Sequence, residues 1–191
     1  RTDRLANFRI AAQRIAEYLD DGGACYWEGG DVWSFDNPTN LHPYFGIDGL
    51  ADGTGDAGPV AGVRGRFTEG MNFLYNGENS FIDRITAMGS AENILTNGRS
   101  GAEYALCVAN SGTTYRTVGS SIEIGALIDA SAPSRRIDLI RSILNWFDIP
   151  VLHDLTPPVI THLPLNRWFH DGRPIPITCD VQDDSELDMV A

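Results

Sequence analysis

One stretch, Tyr18 to Asp36 (YLDDGGACYWEGGDVWSFD), constrains the fold more than any other part of the chain. Leu5, Phe8, Ala12, Ile15 and Leu19 recur at helical spacing before it, which predicts an amphipathic helix over residues 3–19. Gly22-Gly23 closes that helix, because glycine takes the left-handed conformation a C-terminal cap requires. Ala24-Cys25-Tyr26-Trp27 is then apolar on both faces, as a central parallel strand should be, and breaks at Glu28-Gly29-Gly30-Asp31. Helix, tight turn, buried strand and glycine exit together predict an α/β domain that delivers chain to the carboxyl edge of a parallel sheet. Ligands and catalytic groups collect at such an edge. The exit carries Glu28 and Asp31, and no serine or cysteine where a nucleophile would stand.

Further along, residues 60–67 and 71–75 read as two strands linked by a turn at Thr68-Glu69-Gly70. Residues 80–87 read as a brief helix or turn, and 91–96, 104–109 and 114–127 as three strands. A short helix is expected from about Thr39. A closing helix runs from Pro133-Ser134 to Phe147, with Ser131 as its N-cap and Ile137, Ile140, Ile143, Leu144 and Phe147 as its apolar stripe. After Pro150 no helical period appears. Residues 1–150 are therefore expected to form one α/β domain, and 151–191 a linker with the first strands of a β-sandwich, near residues 159–160 and 175–181. The chain begins at Arg1, opens on a helix at about Asp3 and stops at Ala191 in a strand-like pattern. It reads as a piece of a longer polypeptide, its open sheet edges paired with other chain or another subunit.

Charge narrows the partners. Net charge is −12 over 191 residues, which repels nucleic-acid phosphates. No apolar run reaches the roughly 20 residues that span a bilayer. All 14 basic residues are arginine, so a lysine Schiff base, a P-loop lysine and a lysine general base are excluded.

Candidate chemistry is sparse. Cys25, Cys107 and Cys179 have no metal-ligand spacing; the first two sit in apolar strands and read as small buried hydrophobes, or as a Cys25–Cys107 disulfide if their strands are neighbours. Cys25 with His42 is the one nucleophile–base pair in the main domain that leaves Cys107 aside, but His42 before Pro43 suits a packing or capping role. Glu28, Asp31, Asp36 and Glu123 could gather at one sheet edge, to act as acid and base, to bind a cation, or to accept backbone N–H bonds of the turns. Residues 48–59 form an aspartate- and glycine-rich loop, where oxygens of Asp48, Asp52 and Asp56 could converge on Ca2+. Its spacing departs from the EF-hand order, which favours a plain solvated loop. His153, His162 and His170, with Asp154 and Asp171, match no zinc pattern.

Three motifs carry a resemblance: Tyr18 to Gly23 with Trp27-Glu28-Gly29-Gly30-Asp31, then Leu41-His42-Pro43-Tyr44-Phe45-Gly46-Ile47, then Arg116 to Leu127 with the closing helix. Together they resemble the class I glutamine amidotransferase-like, flavodoxin-like module of large secreted bacterial proteins. That module occurs beside gingipain-like and zinc-carboxypeptidase-like peptidase domains and is followed by an Ig-like domain, which Asp154 to Leu165 and Asp180 to Asp188 resemble. The resemblance implies a flavodoxin-like sheet and an extracellular, multidomain setting. True amidotransferases place a cysteine at the elbow and a histidine with a carboxylate on a later strand. Here Glu28 stands at the elbow and the late strand has Glu123 without a histidine, so the resemblance implies a pseudoenzyme with a structural or interaction role and no cofactor. Two alternatives stay open: a hydrolase using Glu28, Asp31 and Glu123, and a calcium-stabilised adhesion module.

Overall fold

The first helix forms as expected, over Thr2–Asp20 (α1). In the computed structural model, residues 2–53, 55–99, 103–149, 159–162 and 179–182 are described, and side chains of the helix from residue 10 onward. Leu5 and Phe8 of the expected stripe fall outside those side chains. Ala12, Ala16 and Leu19 are buried. Gly22, at φ +96°, closes the helix, with the Gly22 and Gly23 N–H groups donating to the carbonyls of Leu19 and Tyr18. The next strand, β1 (Ala24–Glu28), follows at once.

Eight further strands follow among the described residues of the unit 1–150: β2 (Ile47–Ala51), β3 (Val60–Gly62), β4 (Asn72–Tyr75), β5 (Arg84–Ala87), β6 (Glu92–Thr96), β7 (Ala105–Ser111), β8 (Arg116–Ser120) and β9 (Leu127–Ile128). Spatial order is β1-β8-β7-β6-β3-β4-β9, and a β2–β5 ribbon branches from β7 where Ile85 pairs with Ala105. β1 and β8 are parallel, from Ala24 opposite Arg116 to Glu28 opposite Ser120. Every other pairing is antiparallel. The second helix, α2, spans Arg136–Trp146.

This corrects the expected architecture. The domain is mostly β, a curled mixed sheet with two α-helices among the described residues, and not an α/β flavodoxin-like layer. β1 is an edge strand paired with β8, not a central one. Its apolar residues have another explanation: Cys25 and Trp27 pack against the cluster of α1, Trp33 and Phe45, and Tyr26 packs against the other core cluster. A strand buried by helices and loops carries the same residues as one buried between parallel neighbours, so local sequence could not separate them.

The core divides into two clusters. From Cys107 to Ala109 the β7 residues alternate between them, Cys107 and Ala109 into one and Val108 into the other, while Leu106, where the β6–β7 register shifts, joins Cys107 in the first. The first cluster holds Phe73, Ile94, Leu106, Val118 and Ile122 with Leu139 and Ile143 of α2. The second holds Ala12 and Leu19 of α1 with Trp33, Phe45, Ile85 and Val108. Cys25 packs against the second cluster while Cys107 belongs to the first, and both are free thiols, so the disulfide reading is excluded.

Other local expectations shift. Residues 80–87, expected as a brief helix or turn, end in strand β5, and Ile82 and Ile85 enter different clusters. The expected 60–67 strand stops at Gly62, and the 114–127 strand breaks after Ser120 into a 3-10 helix (Ile124–Ala126) and β9. The short helix after Thr39 is a 3-10 turn, His42–Phe45, capped by Gly46 at φ 58°. On α2 the buried residues are Leu139 and Ile143, while Ile137 and Ile140 face outward.

The α2 N-terminus is held differently from the expected Ser131 cap. Asp129 Oδ1 accepts the Arg136 N–H at 2.7 Å, and its carboxylate also receives the Arg136 guanidinium. The guanidinium first, and then the N–H, hold Asp129 below the ordinary carboxylate range. A depressed folded-state value means this stabilisation is present above the ordinary value and is lost as pH falls through the folded one. Asp129→Asn is expected to lower the thermal midpoint at neutral pH, with the difference from wild type vanishing in strong acid. Paired melting curves across pH check this, and a difference independent of pH would contradict it.

Residues 151–191 form a separate compact unit. Its described residues make a two-stranded antiparallel sheet, β10 (Val159–His162) and β11 (Cys179–Gln182), with Ile160 opposite Val181. The rest of the segment expected to start a β-sandwich lies outside the described residues. His153, Asp154, His170 and Asp171 lie outside the described residues, as do the side chains of His162 and Cys179.

Candidate functional site

The carboxyl ends of β1 and β8 lie side by side, and the glycine exit leaves β1 there. Gly29 N–H and the Trp33 indole N–H (2.9 Å) both donate to the Ser120 carbonyl, which folds the exit back over β8. Glu28, at the elbow, is exposed, but its carboxylate is engaged by the protein's own donors. One of its oxygens accepts from the Tyr26 hydroxyl at 2.6 Å and from the Ile124 N–H at 2.9 Å, pinning the 3-10 turn to β1. Burial, then the neighbouring Cys107 and Glu28, push the Tyr26 phenol far above its ordinary range and keep it a donor.

Next to this elbow is a cavity of about 260 Å³ lined by Gly30, Asp31, Tyr75, Glu78, Phe81, Ile82, Ser121 and Glu123. Asp31 and Glu123 therefore line one cavity. Glu28 sits beside them through Ile124, and Asp36 does not line the cavity. The third carboxylate, Glu78, was missed. It follows the Asn76-Gly77 turn and accepts the Ser80 N–H at 2.6 Å and the Phe81 N–H at 3.2 Å, a capping pattern that a turn-forming sequence could have signalled. Those N–H bonds, Ser80 first, hold Glu78 below the ordinary range. Asp31 moves the other way, raised by burial and then by Asp36, Asp52 and Glu78.

The nucleophile candidates are occupied. Cys107 is buried, and loss of water pushes its thiol up to about 12. Burial likewise raises Cys25, which lines a small apolar cleft with Ala12, Ile15 and Leu41. Thiols of that kind are poor nucleophiles, because the thiolate is the reactive form. Both ring nitrogens of His42 are engaged: Nδ1 accepts the Thr39 N–H at 2.9 Å, leaving Nε2 to donate to the Val32 carbonyl at 2.8 Å. Ser121 is buried with its hydroxyl directed to the Leu106 carbonyl.

The aspartates of 48–59 separate. Asp48 lies on β2 opposite Thr86. Asp56 pairs with Arg84 and accepts the Tyr104 hydroxyl at 2.6 Å. Burial opposes its ionisation, but the Tyr104 bond and the Arg84 guanidinium outweigh it and hold Asp56 low. Among the described residues no group of three or more His, Cys, Asp or Glu is placed to hold a metal ion.

No protein-family model and no curated protein matches the sequence. Among solved structures, the fold is similar to part of a cold-adapted β-galactosidase from Rahnella sp. R3, with TM-score 0.54 and 16% identity, over 79% of this chain and 23% of that one. It is also similar to the mmIFT52 N-terminal domain, with TM-score 0.53 and 14% identity, over 74% of this chain and 72% of that one. At these identities the likeness describes the fold alone. No helix among the described residues is long and apolar enough to cross a membrane.

Proposed function

We propose that this chain supplies a non-catalytic structural or interaction domain to a secreted, multidomain protein, accessory to a hydrolase or part of an extracellular assembly. The observation that carries this reading is the elbow itself. Where the resembled module carries its cysteine this chain has Glu28, whose carboxylate ties β1 to the turn after β8. Two other points support it. The motifs around Tyr18 to Asp31 resemble a module found beside peptidase domains, and the matched part of the Rahnella β-galactosidase is 23% of a longer chain. Purified protein incubated with peptide, amide, ester and glycoside substrates is expected to show no turnover. Turnover that disappears in Glu28→Gln or Cys25→Ser would overturn the proposal.

One observation favours a second reading, an acid–base hydrolase. In the same cavity Asp31 is pushed up while Glu78 is pushed down, and carboxyls separated in this way can divide the roles of acid and base. Its mark would be turnover with a bell-shaped pH profile, lost in both Asp31→Asn and Glu78→Gln.

A further inference from the structure

Asp83 is fully buried immediately before β5 and grips the exit turn at three points. Its Oδ2 accepts the Trp33 N–H at 2.8 Å and the Ser34 N–H at 2.7 Å. Its own N–H donates to the Gly30 carbonyl at 2.8 Å. The other oxygen, Oδ1, is buried with no hydrogen-bond partner among the described residues. Buried polar atoms are almost always paired, and an unpaired one carrying charge is costly. A neutral carboxyl keeps Oδ2 as an acceptor, a weaker one, and takes the buried charge away. Gly30 and Asp31 form a wall of the acidic cavity, so the grip on this turn also sets the cavity's shape.

We propose that Asp83 is a proton-dependent latch: uncharged, it holds the exit turn as the cavity wall, and ionisation loosens that wall. The charged surroundings agree. Asp31 on the turn and Asp52 beyond β2 both disfavour a negative charge on Asp83, and Arg84, next in the chain, pairs with Asp56. Burial is the dominant influence and raises the carboxyl above its ordinary value of 3.8, against the pull of the Ser34 and Trp33 N–H bonds. A folded-state value above the unfolded one means the group's stabilisation is full below 3.8 and is lost as pH rises through the folded value. His42, on the Val32 carbonyl, is the other titratable group holding this turn. The inference does not depend on whether the cavity is catalytic; Asp83 is a positioning residue.

The test is a pH titration of the chain labelled with 5-fluorotryptophan, followed by 19F NMR, with the Trp33 resonance assigned from Trp33→Phe. Wild type is expected to show a Trp33 transition with its midpoint above 3.8. Asp83→Asn keeps an oxygen acceptor and cannot ionise, so its Trp33 resonance should stay at the low-pH position throughout. His42→Gln should leave the midpoint in place. An Asp83→Asn resonance that titrates like wild type, or a transition abolished by His42→Gln, overturns the latch. If Asp83→Asn does not fold, the 13C resonance of the wild-type Asp83 carboxyl decides, and a midpoint at or below 3.8 rejects the proposal.

Discussion

Phe45→Ala is expected to destabilise the unit of residues 1–150 by about 3–5 kcal/mol, the usual cost of deleting a buried phenyl ring. Phe45 is fully buried, its ring 5.5 Å from Trp27 and 5.2 Å from Trp33, with Trp27 and Trp33 themselves 5.1 Å apart. His42 stands edge-on to both indoles. The cluster joins α1, β1, the exit turn and the 3-10 turn, so one deletion is felt by four elements. Relaxation into the space is restricted, because Trp33 is tethered by its indole N–H to Ser120 and by its backbone N–H to Asp83. Urea unfolding followed by tryptophan fluorescence measures the loss. A change below about 1 kcal/mol would mean the cavity collapses freely and the cluster is not a rigid core.

Gly62→Ala is expected to cost about 1–3 kcal/mol, towards the upper end of what overpacking does. A Cβ on Gly62 would overlap the Thr68 carbonyl oxygen and lie 2.7 Å from its carbon. Neither side can retreat easily. Gly62 donates to the Met71 carbonyl at 2.8 Å, and the fully buried Thr68 donates its hydroxyl to the Ile94 carbonyl. The turn from β3 into β4 is thereby clamped onto β6. Gly125→Ala is the control, since its Cβ would meet nothing within 4 Å. Thermal melts of the two variants should separate clearly; equal midpoints would show that the turn yields.

The local pattern located the candidate site better than it described the sheet around it. Gly22-Gly23 and Gly29-Gly30 mark chain reversals that only a few conformations satisfy, so the β1 exit was legible, and with it Glu28 and Asp31. Glu123 reached the same cavity because β8 runs parallel to β1. Glu78 and Asp83 were not legible as site residues. Both sit in a segment, 76–83, whose pattern suits a turn or short helix, and their importance comes from backbone N–H groups of other segments or of the same turn.

By itself the sequence determined what depends on near neighbours: the helix α1 and its glycine stop, strands β1, β6 and β7, helix α2, and a change of character near Pro150. Periodicity and capping act over a few residues and are written in composition and spacing. Tertiary structure alone decided which strands pair, and in which direction. An apolar strand has the same residues whether its neighbours run parallel or antiparallel, so the α/β expectation could not be distinguished locally from the mixed, mostly antiparallel sheet that forms. It also decided that β2 exists at all. Ile47–Ala51 has little hydrophobic alternation, and it becomes a strand because β5 supplies backbone partners and the Trp33 backbone closes against Gly49, where a side chain would not fit.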